Sequence, residues 1–428
     1  MPVAANISAP ASLQGSFREA IESQWADFFV QNTPTYSAIQ KIAPEDGEVT
    51  PYGIRIPVVD GPPGGVGAYT LDSPSYPRAI PLTTTFMLAA PVGSVFPITM
   101  LGRTIDMLNK GDKTTQMNTA KYLEYSTKAF AKFTNIMCHG DRLGALAYST
   151  ATLTAGAART LTCETTPTAN YGHEKGASRL EKGITYDVVI PGSNTVEGTV
   201  TVEIEGANRA QAQVTVTGAV TTGSAIVQRG TWKLCQAGFG HLIGNHARTL
   251  QTLDTTQFAS LNDPTLDLGD TTLTPAAFLT VRAGLQTREN SEEAFSGLTA
   301  FITPGQYAQL AAQGFGFRMS QASESTTYGV PRKYQEAGVD FVLDADASDE
   351  RVVLTKTGAI KRLVEKGMGP ERVDGDWKSW QGSNESGSDV RSKALTMIWN
   401  LAKVKVRSAV LIKRCGVSGV TTQAGGIF

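Results

Sequence analysis

The stretch DGPPGGVGAYT, at residues 60–70, has the glycine content of loops that bind phosphate groups. A phosphate-binding loop places glycine amides next to a helix N-terminus, and its usual spacing is GxxxxGK followed by Ser or Thr. This spacing is absent, and the segment AYTLDSPSYP that follows cannot start a helix. The sequence therefore predicts no nucleotide site here and favours a flexible hairpin tip.

Histidine and cysteine are few and scattered, and no nucleophilic or zinc motif joins them. The chain has four residues of each type, without a CxxC, HExxH or GxSxG sequence. Cys138 and His139 are neighbours, but neighbours on a helix point about 100° apart and do not readily pair as nucleophile and base. We expect the histidines to be packing or surface residues, and we predict no catalytic residue, no cofactor and no metal.

The acidic stretch DADASDE contains four carboxylates, those of Asp344, Asp346, Asp349 and Glu350. Clustered carboxylates suit a hard divalent cation. The stretch lacks the glycine and the terminal glutamate of a calcium-binding loop, so we expect a solvated loop between two strands.

Two groups of basic residues stand out in a chain whose net charge is only −1. Lys403, Lys405 and Arg407 alternate with valines, so a strand would place the three cations on one face. Residues 391–428 contain no Asp or Glu. These cations face nucleic acid without reading its sequence, pair with acids of neighbouring subunits, or are solvated. The second group, on a predicted helix, is Lys121, Lys128 and Lys132.

That helix is the clearest element of the chain. Apolar residues recur at spacings of three and four from Met117 to Met137, after a cap-like Gly111–Asp112 and before Gly140. The pattern predicts a helix of about 26 residues and a length of about 39 Å.

The segment 48–100 has the composition of strands, but prolines occur repeatedly along it. Proline donates no ladder hydrogen bond, so we expect edge strands or a projecting two-stranded arm. Such an arm has little core of its own, and we expect another copy of the chain to shelter it. Upstream of it, a short amphipathic helix is predicted at residues 16–30.

The rest of the chain alternates between strands and two marked helix starts. ITYDVVI, GTVTVEIEG and AQVTVTGAV predict successive strands within 150–235. Thr274–Pro275 and Thr303–Pro304 each place a capping threonine before a proline and predict helices. From residue 339 onward, VDFVLDA, ERVVLT and LAKVKVRSAVLIKR predict strands again.

The composition fits a β-rich protein with extensive protein–protein contacts. The hydrophobic fraction is 41% and the charged fraction is 18%, below the roughly 25% usual in globular domains. We expect no signal peptide, because the N-terminal residues do not contain a basic region followed by an apolar region. We also expect no membrane span and, from the scattered cysteines, a reducing compartment.

Taken in order, these pieces resemble the major capsid proteins of tailed double-stranded-DNA bacteriophages, which have the Hong Kong 97-type fold of the α+β class. The segments that carry the resemblance are, in chain order, FTNIMCHGDRLGALAYSTAT, LEKGITYDVVI, GAVTTGSAIVQRG, GHLIGNHARTLQTLD and LTAFITPGQYAQLAA.

The resemblance implies a division of the chain into six parts. They are an N-terminal arm and short helix (1–47), an extended β-hairpin loop (48–100), the spine helix of a peripheral domain (101–150), a β-rich part of that domain or an inserted β subdomain (151–235), an axial domain (236–345) and C-terminal strands that return to the peripheral domain (346–428).

The resemblance also implies that the extended loop lies over a neighbouring subunit. In some relatives, a lysine of this loop forms an isopeptide bond that cross-links neighbouring subunits. No lysine occurs here between Lys41 and Lys110, so we expect no such linkage between subunits. The residues expected to form the inter-subunit arm are Tyr52, Arg55, Gly61, Gly64, Gly65, Gly67, Tyr69 and Arg78.

The function implied is that of a non-enzymatic major capsid protein, which forms hexamers and pentamers of an icosahedral head. The implied partners are further copies of the chain, packaged double-stranded DNA without sequence specificity, and portal, scaffolding and cement or decoration proteins, with no membrane. The implied location is the virion, after assembly in the cytoplasm of a host bacterium.

Two alternatives stay open at the level of the sequence. A nanocompartment shell of the encapsulin type uses the same fold around an enzyme cargo. A β-rich hydrolase or carbohydrate-binding protein would need an aromatic platform, for which Trp377 and Trp380 are the available residues.

Overall fold

The structure, a computed structural model, describes residues 32–43, 46–59, 84–101, 113–165, 175–208, 210–258, 261–289, 297–312, 318–319, 334–336, 339–370, 372–373, 376–377, 381–383, 390–406 and 408–415. Its helices are α1 (Pro34–Ala38), α2 (Lys113–His139), α3 (Phe239–Leu242), α4 (Pro275–Glu289) and α5 (Pro304–Ala312). The predicted helix at 16–30 lies outside the described residues.

The strands of the first half are β1 (Glu48–Thr50), β2 (Gly53–Val59), β3 (Thr84–Ala89), β4 (Val92–Leu101), β5 (Ala145–Tyr148), β6 (Leu153–Thr162), β7 (Thr185–Ile190), β8 (Thr195–Asn208), β9 (Gln211–Val220) and β10 (Ala225–Gln228). Those of the second half are β11 (Thr249–Leu250), β12 (Leu253–Asp254), β13 (Thr265–Asp267), β14 (Leu298–Ile302), β15 (Arg318–Met319), β16 (Tyr334–Glu336), β17 (Val339–Leu343), β18 (Arg351–Lys356), β19 (Ile360–Pro370), β20 (Arg372–Val373), β21 (Asp376–Trp377), β22 (Gln381–Ser383), β23 (Val390–Lys403) and β24 (Ala409–Lys413). Strands and helices together give a mixed fold of the α+β class, as predicted.

The long helix predicted from the apolar spacing is confirmed. It has 27 residues, which corresponds to about 40 Å, and it ends where Gly140 N donates to Met137 O at 3.1 Å. Phe130 and Ile136 are buried among the residues of the main core. Gly238, just before α3, lies so close to Met137 O that a side chain there would clash with the end of α2.

Residues 145–228 form a six-stranded antiparallel sheet in the order β5-β10-β7-β8-β9-β6. The chain just beyond β5 pairs with the chain at the end of β6 and closes the sheet into a barrel, since Thr150 N donates to Thr162 O at 2.9 Å and Glu164 N donates to Tyr148 O at 2.8 Å. The three strands predicted in this region are confirmed. Along β8 and β9 buried side chains alternate, as period two requires, at Val200, Val202, Val214 and Val216, whereas residues 186–189 of β7 are all buried.

A second, seven-stranded sheet has the order β13-β24-β18-β14-β17-β16-β15. The helices α4 and α5 start at the prolines predicted for them, and Thr303 caps α5 in a reciprocal pair with Gln306. Phe278 of α4 packs edge-on against Phe341 of β17, with ring centroids 5.3 Å apart. Helix α4 therefore contributes to the core of this sheet.

The predicted boundary at residue 345 cuts through this second sheet. β18 and β24 come from the segment 346–428, which was expected to return to the peripheral domain, yet they lie between β13 and β14. β14 pairs with β17 on one side and with β18 on the other, so the chain on both sides of residue 345 builds one sheet. β19, β22 and β23 join β4 in a separate sheet, and β20 pairs with β21.

The base of the predicted arm is a three-stranded sheet in the order β1-β2-β3. Pro57 lies on β2 beyond the end of β1, where only the β3 side is paired, as the proline rule requires. The expectation that the whole segment 48–100 lacks its own shelter is wrong. Ile56 and Met87 are buried in the chain's main core, and β4 leaves the arm to pair with β23.

The C-terminal stretch LAKVKVRSAVLIKR was predicted to be one strand with its cations on one face, and this prediction is wrong. β23 ends at Lys403, a turn follows in which Ser408 Oγ donates to Lys405 O at 2.7 Å, and β24 begins at Ala409 in a different sheet. Lys403 is buried, whereas Lys405 is exposed. The turn breaks the alternation on which the prediction depended.

Among the described residues, no helix combines the length and the apolar character needed to cross a membrane.

Candidate functional site

A buried polar cluster joins the N-terminal segment, the end of α2 and the loop after β17. The Asp344 side chain is 1% exposed, and His139 Nε2 lies 2.9 Å from its Oδ2 atom. Asn135 Nδ2 donates to both carboxylate oxygens of Asp344, at 3.0 and 2.9 Å. Thr35 Oγ1, which is 309 residues away along the chain, also donates to Oδ2. Asp344 is thus the point at which three distant segments meet.

The hydrogen bonds decide the charge of Asp344. Burial by itself raises the pKa of this carboxyl group, but hydrogen bonds from His139 and Thr35, together with the charge of His139, lower the pKa to about 2. Asp344 is therefore an ionised carboxylate at neutral pH, held in the interior by donors from other segments.

The expectation of a solvated loop at DADASDE is wrong for two of its four acids. Asp344 and Asp349 are buried, and Asn135 Nδ2 donates to Asp346 Oδ2 at 2.9 Å. The cause is the position of the loop, which follows β17 in the second sheet and faces the end of α2. In the part of the chain that the structure describes, no group of three or more His, Cys, Asp or Glu residues is placed to hold a metal ion.

The N-terminal segment is fixed on its own chain by further contacts. The Tyr36 ring packs edge-on against Trp399 of β23, at 4.9 Å between centroids. The Arg362 guanidinium lies 4.7 Å from the centroid of the same ring and donates to Tyr36 O at 3.2 Å. Lys361 Nζ then donates to both oxygens of Asp46 at 2.6 Å. Residues 33–43 and Asp46 therefore lie along the edge of β19.

A second buried contact lies where β23 ends. Lys403 Nζ donates to Asp263 Oδ2 at 2.7 Å and to Leu261 O at 2.8 Å, and both charged side chains are 0% exposed. Lys403 was predicted to face DNA or a neighbouring subunit, and this is wrong, because its amine is enclosed by its own chain. Lys405 is exposed, and Arg407 lies outside the described residues.

The three lysines predicted on the long helix lie on its partly or fully exposed surface. Lys121 is exposed. Lys128 Nζ lies 2.6 Å from Glu124 Oε1, one turn earlier, and Lys132 Nζ lies 2.8 Å from Glu181 Oε1. Two of the three cations therefore have an acidic partner within the chain.

The arm residues are divided between described and masked parts of the chain. Tyr52 is 79% exposed at the turn between β1 and β2. Arg55 stacks on the Phe86 ring, 4.5 Å from its centroid, and lies 3.5 Å from Glu48. The remaining arm residues lie outside the described residues and are Gly61, Gly64, Gly65, Gly67, Tyr69 and Arg78.

The cysteines are packing residues. All four are free thiols and buried. Burial raises the pKa of Cys163, Cys235 and Cys415 to about 12, so these thiols stay protonated and unreactive at neutral pH. Of the two tryptophans considered for a carbohydrate platform, Trp377 lies on β21, and Trp380 lies outside the described residues.

The sequence analysis missed Thr35, Asn135 and Asp263. Their partners lie between 140 and 309 residues away along the chain, so no spacing within a local window could indicate them. The one local signal was the acidic stretch itself, which was read as solvated.

Neither a protein-family model nor a curated protein matches this chain. Among solved structures, it is similar to the cyanophage A-1(L) capsid asymmetric unit, with 8% identity, coverage of 85% of this chain and 88% of the other, and a TM-score of 0.48. It is also similar to the capsid of a native GTA particle, with 8% identity, coverage of 89% and 90%, and a TM-score of 0.44.

A likeness to a nanocompartment shell is shorter. The holo-SrpI encapsulin complex from Synechococcus elongatus PCC 7942 matches at 14% identity over 36% of this chain and 54% of the other, with a TM-score of 0.26. These likenesses concern the course of the chain alone.

Proposed function

We propose that this chain is a major capsid protein, a non-enzymatic subunit that self-assembles into hexamers and pentamers of an icosahedral phage head. The observation that carries the proposal is the arm sheet β1-β2-β3, which buries Ile56 and Met87 against the body and leaves three large apolar side chains exposed. Val49, Tyr52 and Phe86 are 72%, 79% and 44% exposed on this small sheet. Apolar groups exposed together favour a protein partner.

The partner proposed for this sheet is a neighbouring copy of the chain. The order of arm, long helix, barrel and second sheet along the sequence supports this, because it is the order that the resemblance to capsid proteins implies. Portal, scaffolding and cement or decoration proteins are proposed as further partners. The chain is proposed to assemble in the cytoplasm of a host bacterium and to become part of the virion.

We also propose that packaged double-stranded DNA contacts the exposed cations without reading sequence. Among the described members of the predicted basic groups, Lys121 and Lys405 are exposed. Lys128 and Lys132 have acidic partners, so we expect them to contribute less.

Assembly is tested with one variant on the arm and one elsewhere. Phe86→Asp places a charge on the exposed face of the arm sheet, and Val196→Asp places the same charge on β8 of the barrel, where Val196 is 57% exposed. Size-exclusion chromatography and electron microscopy are expected to show closed shells for the unmodified chain and for Val196→Asp, but folded small species for Phe86→Asp.

Two results would count against the proposal. A chain that stays monomeric at high concentration, with the far-ultraviolet spectrum of a folded protein, contradicts the shell function. Shells formed normally by Phe86→Asp contradict the role of the arm sheet. Shells purified from the native source without nucleic acid would instead support the nanocompartment alternative.

Contact with DNA is tested by the salt dependence of binding. Removing one phosphate contact lowers the slope of log affinity against log salt by about 0.9. Lys121→Ala is expected to lower the slope by about that amount, whereas Arg229→Ala, on a residue whose side chain is 78% exposed beside the barrel, is expected to leave it unchanged. Equal slopes for all three proteins would contradict the proposed surface.

A further inference from the structure

Two lysine–aspartate contacts of nearly equal length lie in different surroundings. Lys403 Nζ is 2.7 Å from Asp263 Oδ2, and both side chains are 0% exposed. Lys361 Nζ is 2.6 Å from Asp46 Oδ2, but these side chains are 14% and 11% exposed. The first contact is closed to water, and the second is open to it.

The enclosed contact is costly as an ion pair. Each charge loses its hydration, and Asp263 Oδ1 has no hydrogen-bond partner among the described residues. Burial raises the pKa of Asp263 and lowers the pKa of Lys403, and both changes favour the uncharged forms. In its uncharged form, the pair is an amine nucleophile held beside a protonated carboxyl group.

We infer that Lys403 and Asp263 condense into an intramolecular isopeptide bond. The Lys403 Nζ lone pair forms a bond to Asp263 Cγ, and the Cγ–Oδ2 bond breaks. Oδ2 leaves as water, with its own proton and one proton from Nζ, and the amide nitrogen keeps the other. No oxidant or other co-reactant takes part. The inference goes beyond the proposed shell function and does not depend on it.

The surroundings of the pair favour this reaction. A fixed contact replaces a bimolecular encounter, and well-oriented groups of this kind reach effective concentrations of about 10⁵–10⁸ M. The positive charge of Arg248 lowers the pKa of Lys403 and would stabilise the oxyanion of the tetrahedral intermediate. It also lowers the pKa of Asp263, but burial raises that pKa by more. Arg248 is held by backbone oxygens, since its Nη1 donates to Gly244 O at 3.1 Å and its Nη2 to Leu242 O at 3.0 Å. Exclusion of water opposes the reverse hydrolysis.

The bond would close a large loop of the chain. Asp263 and Lys403 are 140 residues apart, and β13 to β22 lie between them. The end of β23, in one sheet, would be joined covalently to the segment that enters β13, at the edge of the other sheet. The two sheets could then no longer separate at this point.

The test is the mass of the unmodified full-length protein. A condensed chain is lighter by one water molecule, and the lighter species is expected to dominate and to increase as a preparation ages. Trypsin digestion and tandem mass spectrometry are expected to give a branched peptide in which Lys403 is joined to Asp263 and is not cleaved. The water-accessible pair Lys361–Asp46 is the internal control, and its peptides are expected to stay linear.

The opposite results are equally clear. If every chain keeps its full mass, the inference is wrong. It is also wrong if the lost water belongs to a linear peptide, as in a succinimide, or if the Lys361–Asp46 pair is joined instead. Lys403→Arg retains a cation that does not attack the carboxyl group, and it is expected to restore the full mass. Because the decisive measurement uses the unmodified protein, no outcome depends on how this variant folds.

Discussion

A lysine contacts a carboxylate at nearly the same distance in two regions, the buried end of β23 and the outer surface of α2. Lys403 and Asp263 are 2.7 Å apart with no exposed surface, whereas Lys128 and Glu124 are 2.6 Å apart with 39% and 34% of their side chains exposed. On the surface, water replaces a lost partner. At the buried end of β23 water does not replace a lost partner. The distance between the charged atoms therefore does not by itself determine how much each contact contributes to stability.

The largest expected effect comes from breaking the buried pair. Lys403→Met leaves the Asp263 carboxyl group buried without its partner, and removing one member of such a pair costs about 3–5 kcal/mol. We expect a loss of this size in the free energy of unfolding, measured by urea denaturation. If the pair has condensed, the loss is expected to be larger, because the variant then also lacks the covalent loop that restrains the unfolded chain.

The matched control replaces both members. Lys403→Met combined with Asp263→Leu removes both charges and keeps apolar volume, so most of the lost stability is expected to return. A double variant as unstable as the single one would show that packing, and not the unpaired charge, caused the loss.

A smaller effect is expected from acid. The pKa of Asp344 is lowered from 3.8 to about 2 in the folded chain, so the stability it contributes is complete above pH 4 and is lost as the pH falls from about 4 to about 2. The contribution is about 2 kcal/mol. Asp344→Asn is expected to flatten the pH dependence of the urea midpoint in this range. An unchanged slope would contradict the hydrogen-bonded carboxylate.

The smallest effect is expected on the outer surface of α2. Lys128→Ala and Lys132→Ala each remove a partly exposed ion pair, and such pairs contribute less than about 1 kcal/mol. Urea midpoints in low and high salt are expected to differ little between these variants and the unmodified chain. If either variant loses as much stability as Lys403→Met, the exposure of the ion pair does not explain the difference between the two regions.

Much of the secondary structure could be predicted, and the errors have a common cause. The apolar spacing from Met117 to Met137 located α2, and Thr303–Pro304 located the start of α5. The alternation at 403–407 failed because Lys403 ends one strand and the chain then turns into another sheet. Period two describes which side a residue faces within a strand, but it does not state where the strand ends or whether that side is covered.

The amino-acid sequence by itself determined the long helix, the barrel strands and the proline-marked helix starts, because periodicity and capping act within one or two turns or a few strand residues. Only the tertiary structure decided that β18 and β24 lie in the same sheet as β14 and that Asp344 meets Thr35. It also decided that Lys403 faces Asp263 rather than solvent. These pairings join residues far apart in the chain, and their burial depends on how whole sheets and helices pack.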